Sequence, residues 1–194
     1  MMDLTVDLYE KWMKNFNSLI TNNREYLNNL DESIGDGDHG SNMFRGMKAV
    51  IDTLNIKKPN NVTDALKLTA MALISKVGGA SGPLYGTAFL EMAKESVNTN
   101  NLDKLLNVAL QGIMKRGGAK VGDKTLVDVW VIVLKKLETN SLSKEEIDKA
   151  VKSTEDLIAH KGRASYLGKR SKGHLDPGSV SSGYLFDALL DAEG

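Results

Sequence analysis

The chain has 194 residues, and its 25 basic and 25 acidic side chains balance to a formal net charge of zero. This length fits one domain with a sizeable core, so we expect residues 1–194 to form a single domain. The balanced charge excludes binding to nucleic acid or to an anionic membrane through a global basic field, and the absence of cysteine excludes disulfides and thiolate chemistry.

The N-terminal residues show no basic patch followed by an apolar run, and no stretch of about 18 apolar residues is present to span a bilayer. The lack of cysteine agrees with a reducing compartment. We therefore expect a cytoplasmic protein that binds neither nucleic acid nor membrane.

Apolar residues recur at helical spacing along most of the chain. Over residues 6–30 this period predicts one long amphipathic helix or two abutting ones. The same criterion predicts further helices over residues 42–54, 63–77, 84–97, 102–114, 126–137, 143–160 and 179–190. The segment 126–137 is rich in β-branched residues and resembles a buried strand, but nothing else in the chain offers it a strand partner. About eight helices with short connections predict an all-α bundle.

The segment between the first two helical patterns is rich in aspartate and glycine. Asp36 and Asp38 point the same way in an extended stretch, and Gly37 between them removes the side chain that would crowd them. Asp31 lies earlier, where the chain is able to fold back onto them. Hard carboxylate oxygens suit Mg2+ or Ca2+, and Mg2+ leaves positions for substrate phosphates. Three aspartates therefore fit two shared metals on a nucleotide.

This segment has two other interpretations. An EF-hand counted from Asp36 is excluded, because it requires glycine and glutamate where the chain has Ser41 and Met47. A turn formed for purely local reasons explains a lone Asp-Gly-Asp. The metal site is favoured because a helical pattern opens directly afterwards, so that the N–H groups of residues 40–42 form a helix N-terminus suited to phosphate.

Two later segments are candidates for contacts with an anionic ligand. The glycine-rich turn 78–83 leads into a helix, with Ser81 as a suitable N-cap and Pro83 in the first turn. A tight connection between helices is the alternative for this turn. The loop 161–178 holds Arg163, and long loops in compact domains are functional or disordered. A solvated basic loop is the alternative there.

Four motifs occur in an order that resembles the nucleotide-binding L part of dihydroxyacetone kinases, and the resemblance covers nearly the whole chain. They are Asp31-x4-Asp36-Gly37-Asp38-His39-Gly40, Gly78-Gly79-Ala80-Ser81-Gly82-Pro83-Leu84-Tyr85-Gly86-Thr87, Gly122-Asp123-Lys124-Thr125, and Gly162-Arg163-Ala164-Ser165-Tyr166-Leu167-Gly168 with Asp176-Pro177-Gly178.

The resemblance implies a barrel of eight antiparallel helices with the nucleotide and two Mg2+ at one end. It implies Asp31, Asp36 and Asp38 as metal ligands and no catalytic side chain, since transfer relies on metals and positioning. Leu126 is the loosest match, because another apolar residue stacks on adenine equally well. The implied nucleotide contacts are His39, Gly40, Ser41, Asn42, Ala80, Ser81, Gly117, Leu126, Arg163, Asp176, Pro177 and Gly178.

A free-standing L subunit further implies a phosphotransferase-system-dependent kinase, because the chain has no room for the domain that binds dihydroxyacetone. In such systems ADP stays bound as a coenzyme, a DhaM-type subunit phosphorylates it from a phosphohistidine, and the phosphoryl group passes to dihydroxyacetone on a DhaK-type subunit. The sequence leaves a homodimer open. It also leaves open a regulatory nucleotide-binding protein, an L subunit that exchanges ATP with solution, and a different short polyol or sugar as acceptor.

Overall fold

The structure, a computed structural model, describes residues 2–194. Within that range the chain forms nine α-helices, one 3-10 helix and a single isolated β-bridge between Asp3 and Asn101. The predicted all-α class is confirmed, with nine α-helices in place of about eight. The helices are α1 (Val6–Asn22), α2 (Arg24–Ile34), α3 (His39–Lys57), α4 (Val62–Lys76), α5 (Ser81–Glu95), α6 (Leu102–Gly117), α7 (Leu126–Glu138), α8 (Lys144–Lys152), the 3-10 helix (Arg163–Ser171) and α9 (Pro177–Glu193).

The helices close into a ring. In the order α1, α3, α4, α5, α6, α7, α8, α9, each helix packs on the next, and α9 returns to α1. Helix α2 lies outside this circuit and packs on α3 and α9. None of the helices described in residues 2–194 combines the length and the apolar character needed to cross a bilayer.

The connections alternate between the two ends of the ring. Because packed neighbours joined by short loops run antiparallel, the loops α2–α3, α4–α5, α6–α7 and α8–α9 gather at one end, which we call the site end. The loops α3–α4, α5–α6 and α7–α8 lie at the other. There the N-terminal residues pair with the α5–α6 loop, where the Leu4 amide donates to the Asn100 carbonyl at 2.7 Å.

The interior of the ring holds one continuous cluster of buried apolar side chains. Its largest aromatic members are essentially inaccessible to solvent, and they are Trp12, Trp130, Tyr9, Tyr85, Phe16 and Phe89. The polar atoms of the tryptophans are paired: the Trp12 indole donates to the Leu185 carbonyl at 2.7 Å. A core of this kind holds the helix ends, and therefore the loops, in fixed positions.

The β-branched segment at residues 126–137 is a helix, as predicted. Thr125 caps α7, and its backbone N–H donates to the Asp128 carboxylate at 2.8 Å, which completes a reciprocal capping box. The segment is buried on most sides because α7 packs on α6, α8 and α9. This environment explains why its composition resembles that of a buried strand.

Most predicted helix bounds shift by a few residues, and the largest differences lie between residues 152 and 178. The helix predicted over residues 143–160 ends at Lys152, because the carbonyls that follow accept hydrogen bonds from the side chain of Lys124 and the chain turns away. The loop 161–178 contains the 3-10 helix, which is anchored by the buried Ala164 and Ser171. Residues 6–30 form two abutting helices that break at Asn23.

Asp187 on α9 gives a prediction about the pH dependence of stability. Its Oδ1 is buried without a hydrogen-bond partner among residues 2–194, and burial, followed by the negative charge of Asp148, raises its pKa to about 6. Because this value exceeds the unfolded value of about 3.9, the free energy of unfolding falls as the pH rises from about 4 to about 6. Asp187→Asn removes that loss, and we expect it to stabilise the protein at neutral pH by on the order of 1 kcal/mol, allowing for partial exposure.

Urea unfolding at several pH values measures this effect. The matched control is Asp52→Asn on the exposed side of α3, which removes only an exposed ion pair and should change the free energy of unfolding at neutral pH by less than about 0.5 kcal/mol. An Asp187→Asn profile with the wild-type slope would contradict the assignment.

Candidate functional site

A cavity of about 510 Å³ opens at the site end of the ring. All four loops of that end contribute to its wall, together with the first turns of α3, α5, α7 and α9. Its volume is in the range of small-molecule and cofactor sites. Its lining is partly apolar, with Leu84, Ile113 and Leu126, and it also carries the carboxylates of Asp31, Asp36 and Asp38.

The three aspartates meet, as their spacing predicts. One carboxylate oxygen from each lies within 4.8 Å of the others, and no other such group of potential ligands occurs in residues 2–194. Asp36 and Asp38 are exposed and Asp31 is partly buried. Burial, and then the charges of the other two, raise the pKa of Asp31, while two backbone hydrogen bonds oppose this shift. The donor set consists of hard oxygens and fits Mg2+.

Asp31 also caps a helix, which its spacing in the sequence does not predict. Its Oδ2 accepts hydrogen bonds from the backbone N–H groups of Asp38, at 2.9 Å, and His39, at 3.1 Å. Asp38 itself occupies the N-cap position of α3 without a side-chain cap bond. A carboxylate on α2 therefore caps α3, and this bond fixes the α2–α3 loop, in which Gly37 adopts a positive φ of 75°.

Arg163 lies beside the aspartates. Its Nη2 is 2.8 Å from the Asp36 Oδ2, which brings the start of the 3-10 helix to the mouth of the cavity. The Arg163 side chain is 67% exposed, so the ion pair adds little stability, but its charge lies where an anionic ligand would meet it.

His39 is held between two hydroxyl groups at the wall of the cavity. Its Nδ1 lies 3.2 Å from the Ser81 Oγ and its Nε2 lies 3.0 Å from the Ser181 Oγ, which in turn is 2.9 Å from the Tyr85 hydroxyl. Burial lowers the pKa of His39 to about 4. The imidazole is therefore neutral near neutral pH, and its two nitrogens are engaged in fixing α3 against α5 and α9.

Asp176 begins α9 at the rear of the cavity. Its Oδ2 accepts from the Ser179 amide at 2.7 Å and from the Ser179 hydroxyl at 2.9 Å, so it is the N-cap of this helix. Burial raises its pKa to about 6, although both Ser179 bonds and the charge of Lys124 oppose that shift. Pro177 occupies the first turn, where its missing N–H leaves no bond unmade.

Most residues that the sequence assigned to ligand contacts line this cavity. Gly40 and Ser41 do not: Gly40 packs against the backbone of Arg24, and the Ser41 hydroxyl accepts from Arg24 and Asn28 on α2. Their side of α3 faces α2 and the cavity lies on the other side. The assigned residues that do line it are Asp31, Asp36, Asp38, His39, Asn42, Ala80, Ser81, Gly117, Leu126, Arg163, Asp176, Pro177 and Gly178.

The sequence does not indicate several of the residues that line the cavity. Leu84 and Ile113 supply much of the apolar wall, but helical periodicity does not show which apolar residues face a cavity rather than the core. Arg116 and Lys161 add positive charge to the rim. Lys124 was visible in the Gly-Asp-Lys-Thr motif, yet nothing in the sequence indicated that a lysine there would be buried.

Comparison with known proteins gives consistent matches along the chain. A family model described as "DAK2 domain" matches residues 33–191. The chain is 51% identical over 188 residues to the "PTS-dependent dihydroxyacetone kinase, ADP-binding subunit DhaL" of Lactococcus lactis subsp. lactis (strain IL1403), covering 97% of this chain and 98% of the relative. It is 37% identical over 204 residues to the "PEP-dependent dihydroxyacetone kinase, ADP-binding subunit DhaL" of Escherichia coli (strain K12), covering 97% of each.

Solved structures agree on the fold. The chain matches the crystal structure of the dihydroxyacetone kinase from C. freundii in complex with AMP-PNP and Mg2+ with a TM-score of 0.79 and 23% identity, over 98% of this chain and 35% of that chain. The native form of a C. freundii dihydroxyacetone kinase gives a TM-score of 0.76 at 23% identity, over 96% of this chain and 34% of that one. This chain thus spans about a third of the solved chains, and the likeness shows a shared all-α fold.

Proposed function

Because the chain belongs to the DAK2-domain family, and within it to the ADP-binding subunits of dihydroxyacetone kinases, we propose that it carries ADP as a bound coenzyme of such a kinase. The coenzyme accepts a phosphoryl group from the phosphohistidine of a DhaM-type subunit and passes it to dihydroxyacetone on a DhaK-type subunit. The observation that carries the proposal is the gathering of three carboxylates at one side of a cavity of nucleotide size.

The cavity suggests how the coenzyme lies. The apolar wall of Leu84, Ile113 and Leu126 suits the adenine, and Gly117 beside it leaves room for the base. The turn that precedes α5 offers backbone N–H groups to phosphates, because N–H groups at a helix start lack helical partners. The first turn of α3 does not, since the His39 and Ser41 amides already donate to Asp31 and Asn28. Arg163 stands on the phosphate side, since it pairs with Asp36.

Two Mg2+ held by Asp31, Asp36 and Asp38 complete this arrangement. A nucleoside triphosphate carries about four negative charges, which would repel the three carboxylates without cations between them. Bound Mg2+ neutralises the charge that develops on the transferred phosphoryl group. The chain's own contribution is position: Asp31 fixes the loop that carries Asp36 and Asp38, and Arg163 and the helix starts offset the remaining charge.

No side chain of the cavity is assigned as a general base. His39, the obvious candidate, has both ring nitrogens within reach of hydroxyl groups, and burial lowers its pKa to about 4. The base that activates the acceptor hydroxyl is therefore expected on the partner that holds dihydroxyacetone.

The content of the purified protein tests the proposal. We expect protein prepared without added nucleotide to release close to one ADP and two Mg2+ per chain when it is denatured, as identified by chromatography, mass and metal analysis. An empty protein that binds ATP reversibly would favour a subunit that exchanges ATP with solution. A protein that binds no nucleotide would refute the proposal.

The rim of the cavity provides a prediction about the partner surface. Tyr166 is 87% exposed on the 3-10 helix, and that helix is held rigidly because Leu167 packs against Ile34 and Ala164. Exposed aromatic side chains on rigid elements are frequent anchors of interfaces. Both partners must reach the same phosphate, so we expect Tyr166→Ala to slow transfer to and from them by about tenfold or more while ADP content stays at the wild-type level.

Ile56→Ala is the matched control. Ile56 is 76% exposed near the end of α3 that points away from the cavity, so this variant should transfer phosphate at the wild-type rate. Rates measured with saturating and limiting partner separate weakened docking from damaged chemistry. Equal loss in both variants would contradict a partner surface at the site end.

A further inference from the structure

Lys124 is a fully buried lysine at the entrance to α7. Only 1% of its surface is exposed, and its φ of 60° places it in the left-handed region that few non-glycine residues occupy. Lysine is almost never buried to this degree unless its charge is paired. The buried ammonium of Lys124 must therefore have hydrogen-bond acceptors close by.

Three backbone carbonyls accept hydrogen bonds from this ammonium. The ammonium donates to the carbonyl oxygens of Thr154 at 2.6 Å, Glu155 at 3.1 Å and Leu157 at 3.2 Å. These three bonds use every N–H donor that a lysine ammonium has. Although the side chain lines the cavity, it has no donor left for a phosphate. Its position in the cavity wall therefore does not make it a phosphate ligand.

The carbonyls belong to the segment that leads from α8 to Arg163. Helix α8 ends at Lys152, and the three carbonyls lie in the turns that follow it, where their partial negative charge favours a cation. A second bond holds the same segment to the α6–α7 loop, since the His160 amide donates to the Asp123 carbonyl at 3.0 Å. The chain then passes through Gly162, with φ of 63°, to Arg163 at the mouth of the cavity.

We propose that Lys124 is a positioning residue for phosphoryl transfer: it fixes residues 154–162 against the α6–α7 loop and thereby holds the Arg163 guanidinium beside Asp36. This inference rests on the proposed function, because it takes the phosphates of the coenzyme as the groups that Arg163 meets. It assigns Lys124 no contact with the ligand.

The test is a double-mutant cycle between Lys124 and Arg163. Lys124→Met keeps the apolar stem and removes the donors, and Arg163→Met removes the guanidinium. We expect each single variant to slow phosphoryl transfer by about ten- to a hundredfold, because misplacement by about 1 Å costs that much. If Lys124 acts through Arg163, the double variant is no slower than the slower single variant.

Two further measurements make every outcome decisive. Hydrogen exchange should accelerate in residues 153–164 of Lys124→Met and not in α3–α5, and Lys124→Gln, which retains two donors, should restore part of the rate. Multiplicative effects of the two substitutions, or a wild-type rate in Lys124→Met, would overturn the proposal. Failure of both Lys124 variants to fold would also overturn it, because a positioning role leaves the helix ring intact.

Binding of MgADP to the wild-type protein distinguishes failure of the proposed function from failure of the positioning role of Lys124. If the wild type does not bind MgADP, the proposed function fails. If the wild type binds MgADP and transfers phosphate while the Lys124 variants match it, only the positioning role fails.

Discussion

Asp36→Asn and Asp38→Asn are each expected to reduce phosphoryl transfer by at least about 100-fold without loss of helical structure. Both carboxylates are exposed and neither carries a backbone capping bond, so neutralising them removes charge from the candidate metal site and little else. The Arg163 ion pair lost with Asp36 is solvent-exposed and worth little to stability. Rates with purified partners, metal content and circular dichroism measure the three effects.

Two controls sharpen this prediction. Glu32→Gln removes an exposed carboxylate from the neighbouring turn of α2 and should leave transfer unchanged. Asp31→Ala should impair transfer and also lower the free energy of unfolding by about 1 kcal/mol, because it removes the side-chain oxygen that caps α3. Wild-type turnover in either Asp36→Asn or Asp38→Asn would refute the metal assignment.

Gly40→Ala is expected to disable the site from a position that does not line it. A Cβ at residue 40 would lie 2.0 Å from the Arg24 carbonyl oxygen, which is backbone and has no alternative rotamer. Helices α2 and α3 must therefore move apart, and overpacking of this kind costs about 1–3 kcal/mol. Because Asp31 is on α2 and Asp38 begins α3, we expect the ligand set to open and transfer to fall by about 100-fold.

Gly112→Ala is the matched control for this substitution. It also adds a methyl group to a buried glycine within a helix, but its nearest neighbour is the Cγ of Glu91, a flexible and partly exposed side chain. We expect its stability to stay within about 1 kcal/mol of the wild type and its transfer rate to be unchanged. Comparable losses in both glycine variants would show that any added methyl group disturbs the ring, which would contradict the specific role of the α2–α3 contact.

Predictions from the sequence succeeded where the information is local. Residues 126–137 form the predicted helix and not a strand, and the Asp31, Asp36 and Asp38 carboxylates meet as their spacing suggests. Both depend on short-range periodicity and on the conformations that glycine and aspartate favour in turns. The predicted end of α8 was wrong, because the carbonyls that follow Lys152 accept hydrogen bonds from Lys124, which lies about 30 residues away in the chain.

The sequence by itself determined the helical class, the sequence order of the loops and the carboxylate cluster, because these follow from spacing within one or two turns of chain. Only the tertiary structure decided which residues line the cavity together. The capping of α3 by Asp31, the enclosure of His39 between Ser81 and Ser181, and the burial of Lys124 all require contacts between helices. Such contacts depend on how the helices pack around the ring. The spacing of residues within one segment carries no information about that packing.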